Sequence, residues 1–118
     1  MTPDEIAARV RLALADARSV REVKMFGGIG FMLNGNMLVA VSKRGLLARV
    51  GKDAEPEALS HPGARIMEMR GRAMPGYVFI EPKALTNSQI ADWLVLARSF
   101  AATLPPKDKS VTKKGKKK

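Results

Sequence analysis

The sequence lacks cysteine and contains a single histidine, His61. Without thiols the chain forms neither disulfides nor thiolate metal sites, and one histidine falls short of the ligand set of a structural zinc site. Aromatic residues make up only 5% of the chain, so stacking platforms for single-stranded nucleic acids are scarce. These shortages predict a protein with no metal, no cofactor and no thiol nucleophile.

Long apolar runs and a secretory signal are also missing. The chain begins with Met1-Thr2-Pro3-Asp4-Glu5, which is acidic where a secretory signal is basic. No run approaches the ~18 apolar residues that a membrane-spanning helix needs. We therefore expect a cytoplasmic protein without a membrane partner. A length of 118 residues, 46% of them apolar, is sufficient for one domain.

The net charge of +10 is concentrated at the C-terminal end. Residues 105–118 contain seven lysines and one aspartate, so they carry +6 and the remaining residues carry +4. This segment has too few apolar residues to fold, which predicts a domain over residues 1–104 and a disordered lysine-rich tail over 105–118. The tail either contacts DNA or RNA phosphates nonspecifically or only keeps the protein soluble. The lysines predicted to make nucleic-acid contacts are Lys107, Lys109, Lys113, Lys114, Lys116, Lys117 and Lys118.

Capping signals and apolar spacing predict a helix at each end of the domain. Thr2 and Glu5 form a capping-box pattern before an apolar stripe, and this first helix is expected to end near Ser19. Thr86 and Gln89 repeat the pattern before a broader stripe that includes Trp93 and Phe100 and stops at Pro105-Pro106.

Between the two helices the apolar period changes to two, which predicts strands. Asn34-Gly35 is a strong hairpin signal within a meander of three or four strands. A short helix is expected over residues 53–59, and two more strands over 65–69 and 77–81, joined by a loop over 71–76. The prediction is an α+β fold, a two-layer antiparallel sheet with flanking helices. Its expected order is one helix, three or four strands, a helix, two strands and a closing helix.

No group of residues suggests catalysis, so we predict that the chain is not an enzyme. The acids are scattered over caps, turns and exposed faces, without a cooperating pair. The cluster Gly27-Gly28-Ile29-Gly30 is not followed by Lys-Ser/Thr, and a strand comes next, so a structural bend is favoured over a phosphate loop. His61, between Ser60 and Pro62, is expected to be a solvent-facing loop residue.

Two further features leave alternatives open. The seven methionines are interpreted either as core filler or as an adaptable surface for a partner. Arg70, Arg72 and Tyr77 could instead line a pocket, and the alternative function is then a small-ligand-binding domain or an enzyme using that pocket.

The segment Lys24-Met25-Phe26-Gly27-Gly28-Ile29-Gly30, the hairpin after it and the strand end over 46–51 resemble the N-terminal domain of the TfoX/Sxy family. Met74-Pro75-Gly76-Tyr77, before another strand, is also similar to that family. The resemblance covers approximately residues 6–104.

The resemblance implies a two-layer α+β domain of an accessory regulator without known catalytic activity. Family members are associated with natural competence and related gene expression in bacteria. Full-length regulators carry a second helical domain, and here a short lysine tail is expected in its place. The motif residues Phe26, Gly27, Gly28 and Gly30 are expected to be structural. We therefore hypothesise a non-catalytic regulatory or interaction domain with an unidentified protein partner, with homodimerisation through a sheet edge or the last helix as a further hypothesis.

Overall fold

Three helices and six strands make up residues 1–25 and 27–106, the part of the chain that the computed structural model describes. The helices are α1 (Pro3–Ala13), α2 (Glu55–Leu59) and α3 (Asn87–Ala101). The strands are β1 (Val20–Met25), β2 (Gly28–Leu33), β3 (Asn36–Ser42), β4 (Gly45–Arg49), β5 (Ala64–Met69) and β6 (Arg72–Ile80). Two short 3-10 segments, Lys52–Ala54 and Pro82–Ala84, lie before α2 and α3. The α+β class and the predicted order of elements are confirmed.

Helix α1 begins at the predicted capping box and ends earlier than predicted. The backbone N–H of Glu5 donates to Thr2 Oγ1 at 3.1 Å, and the backbone N–H of Thr2 donates to Glu5 Oε1 at 2.8 Å. The helix stops at Ala13 and not near Ser19. Tight turns replace it, with the Ala17 N–H donating to the Leu14 carbonyl at 2.9 Å. These turns redirect the chain so that β1 can begin at the edge of the sheet.

The six strands form one antiparallel sheet in the order β1-β2-β3-β4-β6-β5. The predicted Asn34-Gly35 hairpin joins β2 to β3, with φ angles of 52° and 83° that match a type I′ turn. Arg70 and Gly71, with φ angles of 54° and 77°, form the same kind of connection between β5 and β6. The predicted loop over 71–76 is therefore wrong, because the chain turns at once and β6 begins at Arg72.

The core lies between the helices and one face of the sheet. Trp93, Ile6 and Val10 are fully buried there, and Ala58 brings α2 into the same apolar cluster. The strand residues that complete this core are Phe31, Leu38, Val39, Val41, Leu46, Ala48, Val78 and Ile80. Among the described residues, no helix is both long enough and apolar enough to cross a bilayer.

Candidate functional site

One sheet face points away from the helices, and we call it the open face. A row of paired residues crosses all six strands on this face, and its members are Val23, Gly30, Ala40, Leu47, Phe79 and Arg65. The adjacent row through Val41, Leu46 and Ile80 lies in the core. Since successive side chains of a strand point to opposite faces, the first row lies on the side without helices.

A groove of about 660 Å³ occupies this open face, and we call it the open-face groove. Its floor includes Ala40, Leu47 and Phe79, which are neighbours in the row across the sheet. The remaining residues that line it are Met25, Gly27, Val41, Ser42, Lys43, Arg44, Met67, Glu68, Met69 and Arg70. The groove therefore has an apolar floor between turns that carry charged side chains.

The glycines of the sequence motif shape one end of this groove. A Cβ atom at Gly30 would lie 2.6 Å from Met25 Sδ, so the Met25 side chain occupies the space over Gly30. A Cβ atom at Gly28 would lie 2.8 Å from the carbonyl carbon of Val41 and closer still to its oxygen. Gly27 has a φ angle of 73°, in the left-handed region that glycine adopts most easily. These glycines let Met25 and the backbone of β3 approach β2 closely.

The strand methionines lie outside the buried core. Six of the seven methionines are in strands, and each is half-buried or exposed. Met25, Met67 and Met69 line the open-face groove, and Met32 pairs with Met37 across β2 and β3. The interpretation as core filler is therefore wrong for these side chains. Flexible, polarisable thioethers at a surface adapt to varied apolar partners.

Positive charge surrounds the open-face groove. Lys43 and Arg44 lie in the β3–β4 turn, and Arg70 lies in the β5–β6 turn. Within residues 1–25 and 27–106, none of these three cations takes part in an ion pair. Glu68 is the single carboxylate among the described residues that line the groove. Arg65 adds a fourth cation on this face, with its guanidinium carbon 5.0 Å from the Phe79 ring centroid.

Two carboxyl groups with lowered pKa values lie away from this groove, on and beside α1. A hydrogen bond from the Thr2 backbone N–H is the main cause of the lowered pKa of Glu5. Hydrogen bonds from the Arg11 guanidinium, at 2.6 and 2.8 Å, are the main cause of the lowered pKa of Glu22. Both interactions are structural, since the first caps α1 and the second ties α1 to β1.

Arg70, Arg72 and Tyr77, predicted as a pocket, do come together. They line a second surface groove of about 640 Å³, with Met69, Ala73, Met74 and Pro75. The β5–β6 hairpin brings them together, because its tight turn at Arg70-Gly71 places Arg72 at the start of β6. Arg70 also lines the open-face groove, so the two concavities share a wall.

Arg49 lines a third groove, of about 660 Å³, which shares Pro75 and Tyr77 with the second groove. Its guanidinium carbon is 5.6 Å from the Tyr77 ring centroid and 5.3 Å from that of Phe100. The Glu55 carboxylate accepts a hydrogen bond from the Gly76 N–H in the same region. These contacts hold the end of α3 and the start of α2 against β6. Their role is therefore structural.

His61 is half-buried, so the prediction of a solvent-facing histidine is wrong. Its ring centroid lies 4.9 Å from that of Trp93, and its Nδ1 lies 3.2 Å from Gln89 Oε1. The Ser60 hydroxyl donates to the Glu57 carbonyl at 2.6 Å and not to His61. The described ranges hold no cluster of three metal-ligating side chains.

Several predicted site residues lie outside the described residues. They are Phe26 of the motif and Lys107, Lys109, Lys113, Lys114, Lys116, Lys117 and Lys118 of the tail. Their roles stay predictions, as does the domain boundary at residue 104.

The family model of the TfoX N-terminal domain matches residues 12–101. The chain belongs to this family. The match covers α3 and all six strands, and so includes the open-face groove and the hairpin carrying Arg70 and Arg72. No curated protein and no solved structure matches the chain significantly. The resemblance read from the glycine motif is thus confirmed.

Sequence reasoning missed the open-face groove as a site. The apolar strand segments that contain Leu47, Met67 and Phe79 cannot be distinguished from core strands by sequence alone. One available signal was the methionine count, because methionine is unusually frequent in a chain of this length. Recognising the groove required the strand register, which places these residues on the face without helices.

Proposed function

We propose that this TfoX N-terminal domain is a non-catalytic interaction module of a regulatory system, and that it binds a protein partner at the open face. The observation that carries the proposal is an apolar groove on the open face, surrounded by cations without ion pairs in the described part of the chain. An exposed apolar surface with a charged margin is typical of sites for macromolecular partners.

The composition of the groove supports a role without catalysis. Of its described lining residues, Glu68 is the one carboxylate, and none is a histidine. Acid–base catalysis uses positioned proton donors and acceptors near the reacting group. The methionines and the leucine at this surface provide apolar contact area, which suits binding better than bond breaking.

A photocrosslinking experiment tests this proposal. The full chain carries p-benzoyl-phenylalanine in place of Met67 in the groove or, as the matched control, in place of Ala8, which is exposed on α1. After irradiation in the native cells and nuclease treatment, protein adducts are expected from position 67 and not from position 8. Adducts that are the same at both positions, or no adducts at position 67, contradict the proposal.

The tail is proposed to add nonspecific contact with DNA or RNA. Its lysines supply positive charge, and neutralising about six phosphates gives a salt slope near −5. The affinity for a random duplex should then fall about a thousandfold between 50 and 200 mM salt.

A truncation tests the tail, and the structure indicates where to cut. Asn36 Nδ2 donates to the Pro105 carbonyl at 3.0 Å, so the deletion should begin at residue 107 to keep this bond. Gel-shift titrations should show that the truncated protein loses most of its binding. Binding that survives the truncation, or that does not depend on salt, contradicts this part of the proposal.

The second groove favours one alternative, an anion site. Two guanidinium groups and a phenol, those of Arg70, Arg72 and Tyr77, line one concavity, and guanidinium groups bind phosphate oxygens in pairs. Titration with inorganic phosphate tests it, with NMR shifts of Tyr77 as the readout. Saturable shifts that Arg72→Gln abolishes support the anion site, whereas shifts that the variant leaves unchanged exclude it.

A further inference from the structure

The chemistry of the open-face groove indicates what kind of segment it binds. We infer that the groove binds an acidic amphipathic segment of a partner protein, with apolar side chains against Leu47, Met67 and Met69 and carboxylates toward Lys43, Arg44 and Arg70. This inference rests on the proposed function and adds the chemical class of the partner.

Charge complementarity carries the first step of this inference. The lining residues that the structure describes bear three cations and one carboxylate, and none of the three cations pairs with an acid of the described residues. The β3–β4 and β5–β6 turns lie at opposite ends of the strands, so their cations can meet acids on both sides of a segment that crosses the strands. Such an arrangement steers an acidic partner and disfavours a basic one.

The same charges disfavour two other occupants. The chain's own residues 107–118 contain seven lysines and one acid, so they are repelled by the groove. A second copy that joined open face to open face would bring Lys43, Arg44 and Arg70 of both chains into one interface. Like charges brought together in this way weaken an interface.

The floor of the groove disfavours nucleic acid as the occupant. Among the described lining residues Phe79 is the one aromatic residue, and its side chain is only 7% exposed under Arg65. Binding of single strands relies on exposed aromatic faces on which bases stack. Methionine, leucine and alanine provide apolar contact without such a face.

The dimensions of the sheet give the length of the segment. The groove reaches from Met25 on β1 to Met67 on β5, which are the two edge strands of the sheet. Five strand spacings of about 4.8 Å make about 24 Å. A helix of about 16 residues has this length, and its apolar stripe can lie across the strands as in other helix-in-groove complexes.

Synthetic peptides and fluorescence anisotropy test the inference on the full chain. The probe is a fluorescein-labelled 16-residue peptide with leucine at helical spacing and glutamate elsewhere. One comparison peptide replaces every glutamate by lysine, and another replaces every leucine by serine. The acidic, leucine-containing peptide is expected to bind at least about tenfold more tightly than either comparison peptide, since each lacks one half of the complementarity.

Charge-reversed variants locate the binding. Lys43→Glu combined with Arg70→Glu is expected to weaken binding of the acidic peptide about tenfold or more, because two attractions become repulsions. The matched control is Arg9→Glu combined with Arg18→Glu, which makes the same change in net charge at exposed positions on and after α1. This control should bind like the wild type, because its groove cations are unchanged. Both double variants keep the lysine tail, so any attraction of the tail for the peptide is the same in each. Trp93 fluorescence confirms folding, and Arg70→Glu alone replaces the double variant if that variant unfolds.

Leu47→Ser tests the apolar floor. It should weaken peptide binding, whereas Leu12→Ser, at a position that is 67% exposed on α1, should not. Equal losses in the two charge-reversed variants overturn the inference, because the attraction is then general. A lysine peptide that binds as tightly as the glutamate peptide also overturns it, and leaves apolar docking as the function.

Competition and light scattering separate the other occupants. A single-stranded oligonucleotide that displaces the peptide from the wild type but not from Leu47→Ser would assign the groove to nucleic acid and overturn the inference. If light scattering shows a dimer that Leu47→Ser dissociates, the groove is assigned to a second copy of the chain, and the inference is again overturned. Absence of peptide binding together with protein crosslinks at position 67 refutes the acidic chemistry alone. Absence of both refutes the proposed function as well.

Discussion

Replacing Gly28 by alanine is expected to destabilise the domain through steric overlap with the neighbouring strand. The added Cβ atom would lie 2.8 Å from the Val41 carbonyl carbon and 3.0 Å from Ser42 Cα. Ordinary contacts of a Cβ atom begin near 3.4 Å, so β2 and β3 must separate. Both contact atoms belong to backbone that is fixed by the pairing of Ile29 with Val41, and no side chain can move aside to relieve the overlap.

The magnitude follows from two opposing effects. Overpacking of this kind costs up to about 3 kcal/mol. Alanine also has less conformational freedom than glycine in the unfolded chain, and this effect raises the free energy of unfolding by about 0.4–1 kcal/mol. The free energy of unfolding should therefore fall by about 2 kcal/mol, which lowers the urea midpoint by about 1 M for a domain of this size. Trp93 is fully buried and is the one tryptophan of the chain, so its fluorescence reports the transition.

Gly71→Ala is the matched control for this measurement. Gly71 has a φ angle of 77°, and a Cβ atom there would have nothing within 4 Å. The control therefore carries only the cost of a left-handed backbone, about 1–2 kcal/mol, reduced by the same effect on the unfolded chain. If Gly28→Ala proves as stable as the wild type, or less destabilising than Gly71→Ala, the close approach of β2 and β3 at Gly28 is refuted.

Two other predictions concern α1. Thr2→Ala should lower the free energy of unfolding by about 1 kcal/mol, because the N-cap acceptor of the Glu5 N–H is lost, and in urea titrations Thr2→Ser should retain most of this stability. The pKa of Glu22 is lowered in the folded state, because the carboxylate pairs with Arg11. At pH values above the ordinary glutamate pKa this pair therefore stabilises the domain, and the stabilisation is lost as the pH falls through the folded-state pKa. The stability difference between wild type and Glu22→Gln should accordingly be small and constant at neutral pH and should vanish in acid; a difference that grows on acidification contradicts this assignment.

Short-range signals account for what was predicted correctly. The capping box at Thr2, the N-cap at Thr86 and the hairpin at Asn34-Gly35 each depend on residues within a few positions of one another. The second cap is only half of the predicted box. The Thr86 hydroxyl accepts from the Gln89 N–H at 3.2 Å, while the Gln89 side chain lies against His61 instead.

The incorrect predictions have long-range causes. Nothing local stops α1 at Ala13, and the early end is set by where β1 joins the sheet. The sequence does not predict a tight turn at Arg70-Gly71, because arginine is rarely found at positive φ and only the pairing of β5 with β6 holds it there. His61 is drawn against Trp93 by the packing of α3, which is distant in the sequence.

The sequence by itself determined the class of fold, the order of its elements and the family, because capping, turn and apolar-period signals act locally along the chain. Only the tertiary structure decided which apolar strand residues are core and which form a surface. That distinction depends on which sheet face the helices cover, and on a strand register that places Leu47 on the other face. Pairing between distant segments fixes both, so Met25 and Met67 meet in one groove although they lie far apart in the sequence.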